Sequence, residues 1–210
     1  LIGNLQAAKN NHWEHMESVE QYLRARRIPA HLGNRVHNYY EYLWARHKGL
    51  NEQTLLQHLP QSLRQDIMLH LARDVLEQVP LFRHCSPVLR NSLLVALKPV
   101  TYAPGNYLAR EGEMGKSIIF ITSGEVEIVA GEDEKVYGTL GPGDYFGYLS
   151  LALAEQRSGS VRACDYCEVL ILEKAAYDAI SAEYPEFLQV MKSISAERGE
   201  QASALLLEGV

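Results

Sequence analysis

Residues 141–163 read GPGDYFGYLSLALAEQRSGSVRA. The stretch opens with a glycine-broken turn, continues as a short apolar segment from Tyr148, and then reaches Arg157, which two serines follow. Glycine lets a backbone approach a ligand closely, amides at the start of a helix point outward, and arginine offers a planar fork of donors. These residue types indicate a place that holds a phosphate. A capped turn with a surface arginine is the alternative interpretation of the same letters.

The order of these residues is similar to the phosphate-binding cassette of cyclic-nucleotide-binding domains. That cassette reads F-G-E, a short helix, and then R-[TS]-A-[ST]-V-[RK]-A. The spacing from Phe146 to Arg157 fits the cassette without a gap, and residues 158–163 continue it as SGSVRA. One position differs, because Tyr148 stands where the family has the glutamate that grips the ribose 2′-hydroxyl.

The segment around this cassette predicts a β-structure. Short β-branched and apolar stretches alternate with glycine turns at a spacing typical of an antiparallel sandwich or roll. The predicted strand stretches are Val100–Tyr102, Tyr107–Arg110, Ser117–Thr122, Val126–Ala130, Val136–Leu140 and Val161–Leu172. The resemblance implies a β-roll of eight strands. After it, Lys174–Ile180 predicts one helix, and Pro185 begins a second with an apolar stripe.

Residues 1 to about 98 predict short helices joined by tight breaks. The first ends in a basic turn before Pro29, and Leu32 to Trp44 repeat apolar residues at three- and four-residue steps. An array of this kind buries few contacts within itself, so it usually rests on a partner or on copies of itself. A compact helical domain is the alternative that the pattern leaves open.

This helical part resembles the C-linker of cyclic-nucleotide-gated and hyperpolarisation-activated channels. The motifs that carry the resemblance are residues 21–23, Pro29, residues 37–42, residues 59–67 and residues 79–82. The resemblance spans nearly the whole chain and is closest to bacterial channels of that group such as SthK. It implies a linker whose first two helices contact neighbouring subunits in a tetramer.

The expected fold class is therefore α+β: a helical C-linker followed by an antiparallel, jelly-roll-like β-roll with flanking helices. The expected domains are residues 1–80, the linker for tetramerisation and gating, and residues 81–210, the cyclic-nucleotide-binding domain. The chain starts at Leu1 and not at Met, which predicts that it is a piece of a longer protein. No apolar run approaches the ~20 residues that span a bilayer.

Charge and residue types exclude several functions. Residues 86–210 hold 10 Lys and Arg against 18 Asp and Glu, which argues against a nucleic-acid partner. The three cysteines form no zinc pattern, and no histidine follows His84, so we expect neither a metal site nor a cupin-type enzyme. No catalytic triad, Walker loop or acid pair is present. We expect no catalytic residue and no cofactor.

The resemblance implies the ligand site. Arg157 is the expected partner of the cyclic phosphate, with Ser158 donating to a phosphate oxygen and the amides of residues 147–149 completing the cradle. Tyr148 is expected to reach the ribose through its hydroxyl, unless Glu155 or backbone groups do so. The expected ligand-binding residues are Phe146, Gly147, Tyr148, Leu149, Ser150, Arg157, Ser158, Gly159, Ile128, Val136, Arg198 and Ala202. Of these, Ile128 and Val136 line the base pocket, and Arg198 and Ala202 contact the base from the last helix.

These expectations define one function. The resemblance implies that the chain is the cytoplasmic ligand-sensing and gating region of an integral membrane channel, with potassium as the expected ion and cAMP or cGMP as the expected ligand. Its partners are the nucleotide, the transmembrane pore of the same chain and identical subunits in a tetramer. The alternatives are an assembly module that binds no nucleotide, and a fragment of a Crp/Fnr-type regulator, which would continue into a helix-turn-helix.

Overall fold

The computed structural model describes residues 2–47, 59, 60, 62, 63, 67, 70 and 79–193. The chain divides into two compact units, Leu1–Arg64 and Gln65–Val210. The predicted boundary between the helical linker and the second domain, after residue 80, stays a prediction.

Residues 2–47 of the first unit form a pair of antiparallel helices. Helix α1 spans Ile2–Ala25 and α2 spans Ala30–His47. The ring of His15 lies edge-on to Tyr40 with 5.2 Å between ring centroids, and Glu20 lies beside His37. Both helices follow the predicted pattern of apolar steps, and the break between them falls at the residues before and at Pro29.

From residue 79 on, the described part of the second unit has two helices followed by eight strands. Helices α3 and α4 span Pro80–Arg83 and Pro87–Ala96. The strands are β1 Lys98–Tyr102, β2 Tyr107–Ala109, β3 Ser117–Ser123, β4 Val126–Ala130, β5 Lys135–Leu140, β6 Tyr145–Phe146, β7 Ser160–Ala163 and β8 Cys167–Glu173. Helix α5, Tyr148–Ala152, lies between β6 and β7, and α6, Lys174–Glu183, follows β8. Residues 185–193 form the described part of a further helix, α7.

The strands form two antiparallel sheets of four, in the orders β1-β8-β3-β6 and β2-β7-β4-β5. The expected α+β class, a β-roll with flanking helices, is confirmed. The single predicted stretch 161–172 is corrected to two strands, because the chain turns at residues 164–166 and crosses from one sheet to the other. Strand β6 has two residues, which is too short for an alternating pattern to reveal.

Strand β3 separates two apolar cores. Side chains alternate along a strand, so Ile118 and Phe120 face one way and Ile119 and Ile121 the other. The first pair belongs to a cluster shared with the helices, and the second to a cluster between the two sheets. Burial on both faces explains the continuous apolar run at residues 118–121.

Candidate functional site

The turn at residues 141–144 places β6 beside β3. Asp144 accepts a hydrogen bond from the backbone N–H of Gly141 at 2.8 Å through its carboxylate, and the N–H of Ile121 donates to the Asp144 carbonyl at 2.8 Å. Phe120 then pairs with Tyr145 and Ile119 with Phe146 across the two strands. This short pairing carries the chain directly to Gly147.

Gly147 has a left-handed backbone, with φ 91° and ψ 0°, and it precedes the first residue of α5. A Cβ atom here would lie 2.6 Å from Nη1 of Arg157 and 2.6 Å from the carbonyl oxygen of Ser117. The position therefore requires glycine on two grounds, its backbone angle and the arginine that fills the neighbouring space.

The Arg157 side chain is held against this glycine. Its Nη2 donates a hydrogen bond to the carbonyl oxygen of Ser117 at 3.1 Å, and its guanidinium carbon lies 5.7 Å from the centroid of the Phe146 ring. The backbone of Arg157 bonds the facing loop twice, with its N–H to the Glu113 carbonyl and its own carbonyl to the N–H of Gly112. The sequence prediction that Phe146, Gly147 and Arg157 come together agrees with this geometry.

Two arginines on the same segment have opposite surroundings. Arg162 pairs with Glu127 and with Glu134, each at 2.7 Å. Arg157, half-buried, forms no ion pair within the described residues. Burial lowers the pKa of Arg157, and the nearby charge of Glu113 raises it in part. A cation that is partly desolvated and has no paired carboxylate favours an anion from outside the protein.

The Tyr148 side chain lies in the core. Only 7% of it is exposed, and its ring lies 6.5 Å from that of Tyr177 in an edge-on arrangement. Burial raises the pKa of the Tyr148 hydroxyl, and the neighbouring Tyr177 hydroxyl raises it further. The structure thus directs this hydroxyl towards α6. The sequence analysis instead expected it to reach a ribose at the ligand site.

The remaining α5 residues in the predicted site differ in exposure. Leu149 is 64% exposed, whereas Leu151, two residues on, is buried. The Ser150 hydroxyl donates to the carbonyl oxygen of Gly147 at 3.2 Å, which closes the first turn of the helix. Leu149 therefore presents an apolar side chain to the outside of the cradle.

The segment after Arg157 leads into β7. Ser158 is exposed, and Gly159 lies so close to β4 that a Cβ on it would be 3.3 Å from the carbonyl oxygen of Val129 and 3.7 Å from Cγ2 of Ile128. Ile128 is half-buried and pairs with Val161. The structure brings Ile128 and Gly159 together, and their role in a base pocket stays a prediction.

The other two groups of predicted residues have different outcomes. Val136 lies on β5, at the edge of its sheet, and is 49% exposed. Arg198 and Ala202 lie outside the described residues, so their predicted contacts with the base stay predictions.

Three contributors were not found from sequence. The Ser117 carbonyl is a backbone group with no residue-type signal, and the charge of Glu113 comes from a loop that is distant in sequence. Tyr177 was not identified because an aromatic residue on the apolar face of a helix is usually an ordinary core residue.

Residues 99–184 match the cyclic nucleotide-binding domain family. The matched stretch holds the two sheets, α5 and α6, so the cradle of Gly147 and Arg157 lies inside it. The prediction that this part of the chain resembles a cyclic-nucleotide-binding domain is confirmed.

Curated relatives of this chain are channels. A human cyclic nucleotide-gated channel alpha-3 is 28% identical over 207 residues, which is 96% of this chain and 29% of the channel. A cyclic nucleotide-gated cation channel of Ictalurus punctatus and a rod photoreceptor subunit alpha of Gallus gallus are each 28% identical, again over 96% of this chain. The chain spans about 30% of the length of these relatives. A closer similarity to bacterial channels such as SthK stays a prediction.

The described residues contain neither a membrane-spanning helix nor a metal site. None of the helices there is both long and apolar enough to cross a bilayer. In the same part of the chain, no three His, Cys, Asp or Glu side chains are placed to hold a metal ion.

Proposed function

We propose that this chain is the ligand-sensing and gating region of a cyclic-nucleotide-modulated ion channel. It binds a cyclic nucleotide in the cyclic nucleotide-binding domain and passes a conformational change to a pore in the same protein. The observation that carries the proposal is the half-buried Arg157 beside Gly147, which has no ion pair among the described residues and lies within a domain of the cyclic nucleotide-binding family.

In this proposal the cyclic phosphate binds at Arg157. The guanidinium exchanges part of its contact with the Ser117 carbonyl for charge-assisted bonds to the phosphate, and the backbone amides of residues 147–149 complete the cradle. Ser158, exposed beside it, donates to a phosphate oxygen. Tyr148 contributes through its amide, since its ring is committed to the core.

The base rests on strands β4 and β5 of the sheet β2-β7-β4-β5. Ile128 and Val136 supply its apolar wall, Phe146, Ser150 and Gly159 shape the cradle beside it, and the segment with Arg198 and Ala202 covers it. Ala202 has no acidic acceptor for the guanine amino group, so we propose that cAMP is preferred and that cGMP also binds.

The helical first unit supports the channel part of the proposal. The relatives that match this chain over 96% of its length are named as cyclic nucleotide-gated channels, and the match includes residues before the family domain. Large side chains such as Trp13 and Tyr22, 61% and 60% exposed, suit contacts with other subunits. We propose a tetramer of identical chains on the cytoplasmic side of a potassium channel.

A ligand acts in such a system by population shift. It favours whichever arrangement of the helices binds it better, and the free energy available for opening a pore is limited to that difference in affinity. Four linked sites would multiply the effect.

Two observations favour a second candidate. Arg157 already has a hydrogen-bond acceptor within the protein, and no carboxylate stands at position 148. An assembly module that binds no nucleotide would retain such a cradle for packing alone. A Crp/Fnr-type regulator has no comparable support among these observations.

Calorimetric titration of cAMP and cGMP into the 210-residue chain tests the proposal. We expect saturable binding, with Kd raised about 10- to 100-fold in Arg157→Ala because a charge-assisted contact is lost. Arg110→Ala is the matched control, since Arg110 stacks on the Tyr107 ring at 3.9 Å and takes no part in the cradle. Absence of binding to the wild-type chain would leave the assembly module as the function.

A further inference from the structure

Helix α5 is anchored to the rest of the domain through two side chains. Of its five residues, Tyr148 and Leu151 are buried, whereas Leu149 is 64% exposed. Tyr148 directly follows Gly147, where a Cβ atom would lie 2.6 Å from both Arg157 and Ser117. The Tyr148 ring is therefore attached to the backbone that packs directly against Arg157.

The Tyr148 ring belongs to a chain of three aromatic rings. It lies 6.5 Å from Tyr177 on α6, and Tyr177 lies 5.6 Å from Phe187 on α7, both in edge-on geometry. Phe187 is fully buried, and all three rings belong to one apolar cluster. Rings packed in this way have few alternative positions, so they transmit displacement between helices.

The two tyrosines also interact through their hydroxyls. The Tyr177 hydroxyl raises the pKa of the Tyr148 hydroxyl beyond the effect of burial, and both rings lie in a region from which most solvent is excluded. A hydroxyl used inside the core is not available to a ligand on the other side of the helix. Tyr148, which stands at the position of the family's glutamate, thus interacts with Tyr177 inside the domain.

We propose that Tyr148 is a positioning residue, which holds the phosphate cradle in register with α6 and α7 through Tyr177. This inference rests on the proposed function and goes beyond it, because it assigns Tyr148 a role without a ligand contact. It replaces the expectation that the hydroxyl binds the ribose.

A double-substitution cycle tests the link in the 210-residue chain. Tyr148→Phe and Tyr177→Phe keep both rings and remove one hydroxyl each. We expect each to raise the Kd for cAMP about fivefold, and the double variant also about fivefold, where independent sites would give about 25-fold. Tyr137→Phe, on β5 and 56% exposed, is the control and should leave the Kd unchanged.

Titration of 2′-deoxy-cAMP separates positioning from ribose contact. If Tyr148 positions the cradle, Tyr148→Phe weakens 2′-deoxy-cAMP by the same factor as cAMP. If its hydroxyl binds the ribose, the substitution leaves 2′-deoxy-cAMP binding unaffected, and our inference is wrong. Additive effects of the two tyrosine substitutions, or no effect of either, would also overturn it.

A measurement without nucleotide keeps this inference distinct from the proposed function. Hydrogen exchange at residues 147–151 should accelerate in Tyr177→Phe relative to wild type and to Tyr137→Phe, because the partner of Tyr148 is weakened. If the wild-type chain binds neither cAMP nor cGMP, the proposed function fails. The hydrogen-exchange result alone then tests the coupling between Tyr148 and Tyr177. Unchanged exchange in Tyr177→Phe would then overturn it.

Discussion

Gly147 and Gly131 have similar backbone angles and opposite surroundings. Their φ values are 91° and 79°, but a Cβ on Gly131 would meet nothing within 4 Å, while one on Gly147 would meet Arg157 and Ser117 at 2.6 Å. Alanine substitutions at Gly147 and Gly131 therefore separate the free-energy cost of the backbone angle from the cost of placing a methyl group in the cradle.

We expect Gly147→Ala to lower the free energy of unfolding by about 1–3 kcal/mol and to weaken cAMP binding, because the new methyl group displaces Arg157. Gly131→Ala should cost about 1–2 kcal/mol from its backbone angle and leave the Kd unchanged. Urea unfolding and calorimetry measure the two quantities. Equal binding by the two variants would contradict the close contact at Gly147.

Two buried thiols predict a loss of stability at high pH. Burial raises the pKa of Cys85 to about 11 and that of Cys167 to about 12, from an ordinary value of 9.0. The folded state holds the two thiol protons more tightly than the unfolded state does. The contribution of the protonated thiols to the free energy of unfolding is therefore complete below about pH 9 and is lost as pH rises towards 11 and 12. Each thiol changes the unfolding free energy by at most about 1.4 kcal/mol per pH unit.

Chemical unfolding between pH 8 and 10.5 tests this. We expect the stability of wild type to fall more steeply with pH than that of Cys85→Ala, in which one titrating thiol is absent. Tyrosines and lysines titrate in both proteins, so the difference isolates the thiol. Parallel curves would show that Cys85 titrates normally.

At the scale of the element, alternating and apolar patterns located most strands. Stretches 117–122 and 126–130 agree with β3 and β4 to within one residue. The patterns failed where the structure depends on which of the two sheets a strand joins, because the residues of the strand alone do not indicate this. The run 161–172 looks continuous because β7 and β8 are both apolar, although each belongs to a different sheet.

The cradle was predictable in part for a related reason. Gly147 and Arg157 are signalled by residue type and spacing, but the direction of the Tyr148 ring depends on where α6 packs. That packing is a long-range contact, which local periodicity does not encode. The Ser117 carbonyl is likewise placed by strand register alone.

Strands β3 and β5 predict contrasting effects of truncation. Ile121 is fully buried, so Ile121→Ala should lower the unfolding free energy by about 2–5 kcal/mol. Val136, on the edge strand and 49% exposed, should change it by less than about 0.5 kcal/mol when replaced by alanine, while weakening cAMP binding. Urea unfolding with a parallel titration checks both. Unchanged binding by Val136→Ala would remove Val136 from the base pocket.

At the scale of the whole molecule, the chain holds two compact units, Leu1–Arg64 and Gln65–Val210. We expect the fragment 65–210 to unfold in one cooperative transition and to bind cAMP with the Kd of the full chain, because the sheets and the cradle lie within it. Sedimentation should show that assembly into tetramers needs residues 1–64. A broad, non-cooperative thermal transition of the fragment would contradict its independence.

The burial of Tyr148 has a consequence for the side chains that position 148 can accept. A carboxylate placed where this ring lies would be an unpaired charge in an apolar core, which costs several kcal/mol. Tyr148→Glu therefore loses stability before any sugar contact is gained. The size of this loss depends on Tyr177 as well, because its ring packs against that of Tyr148.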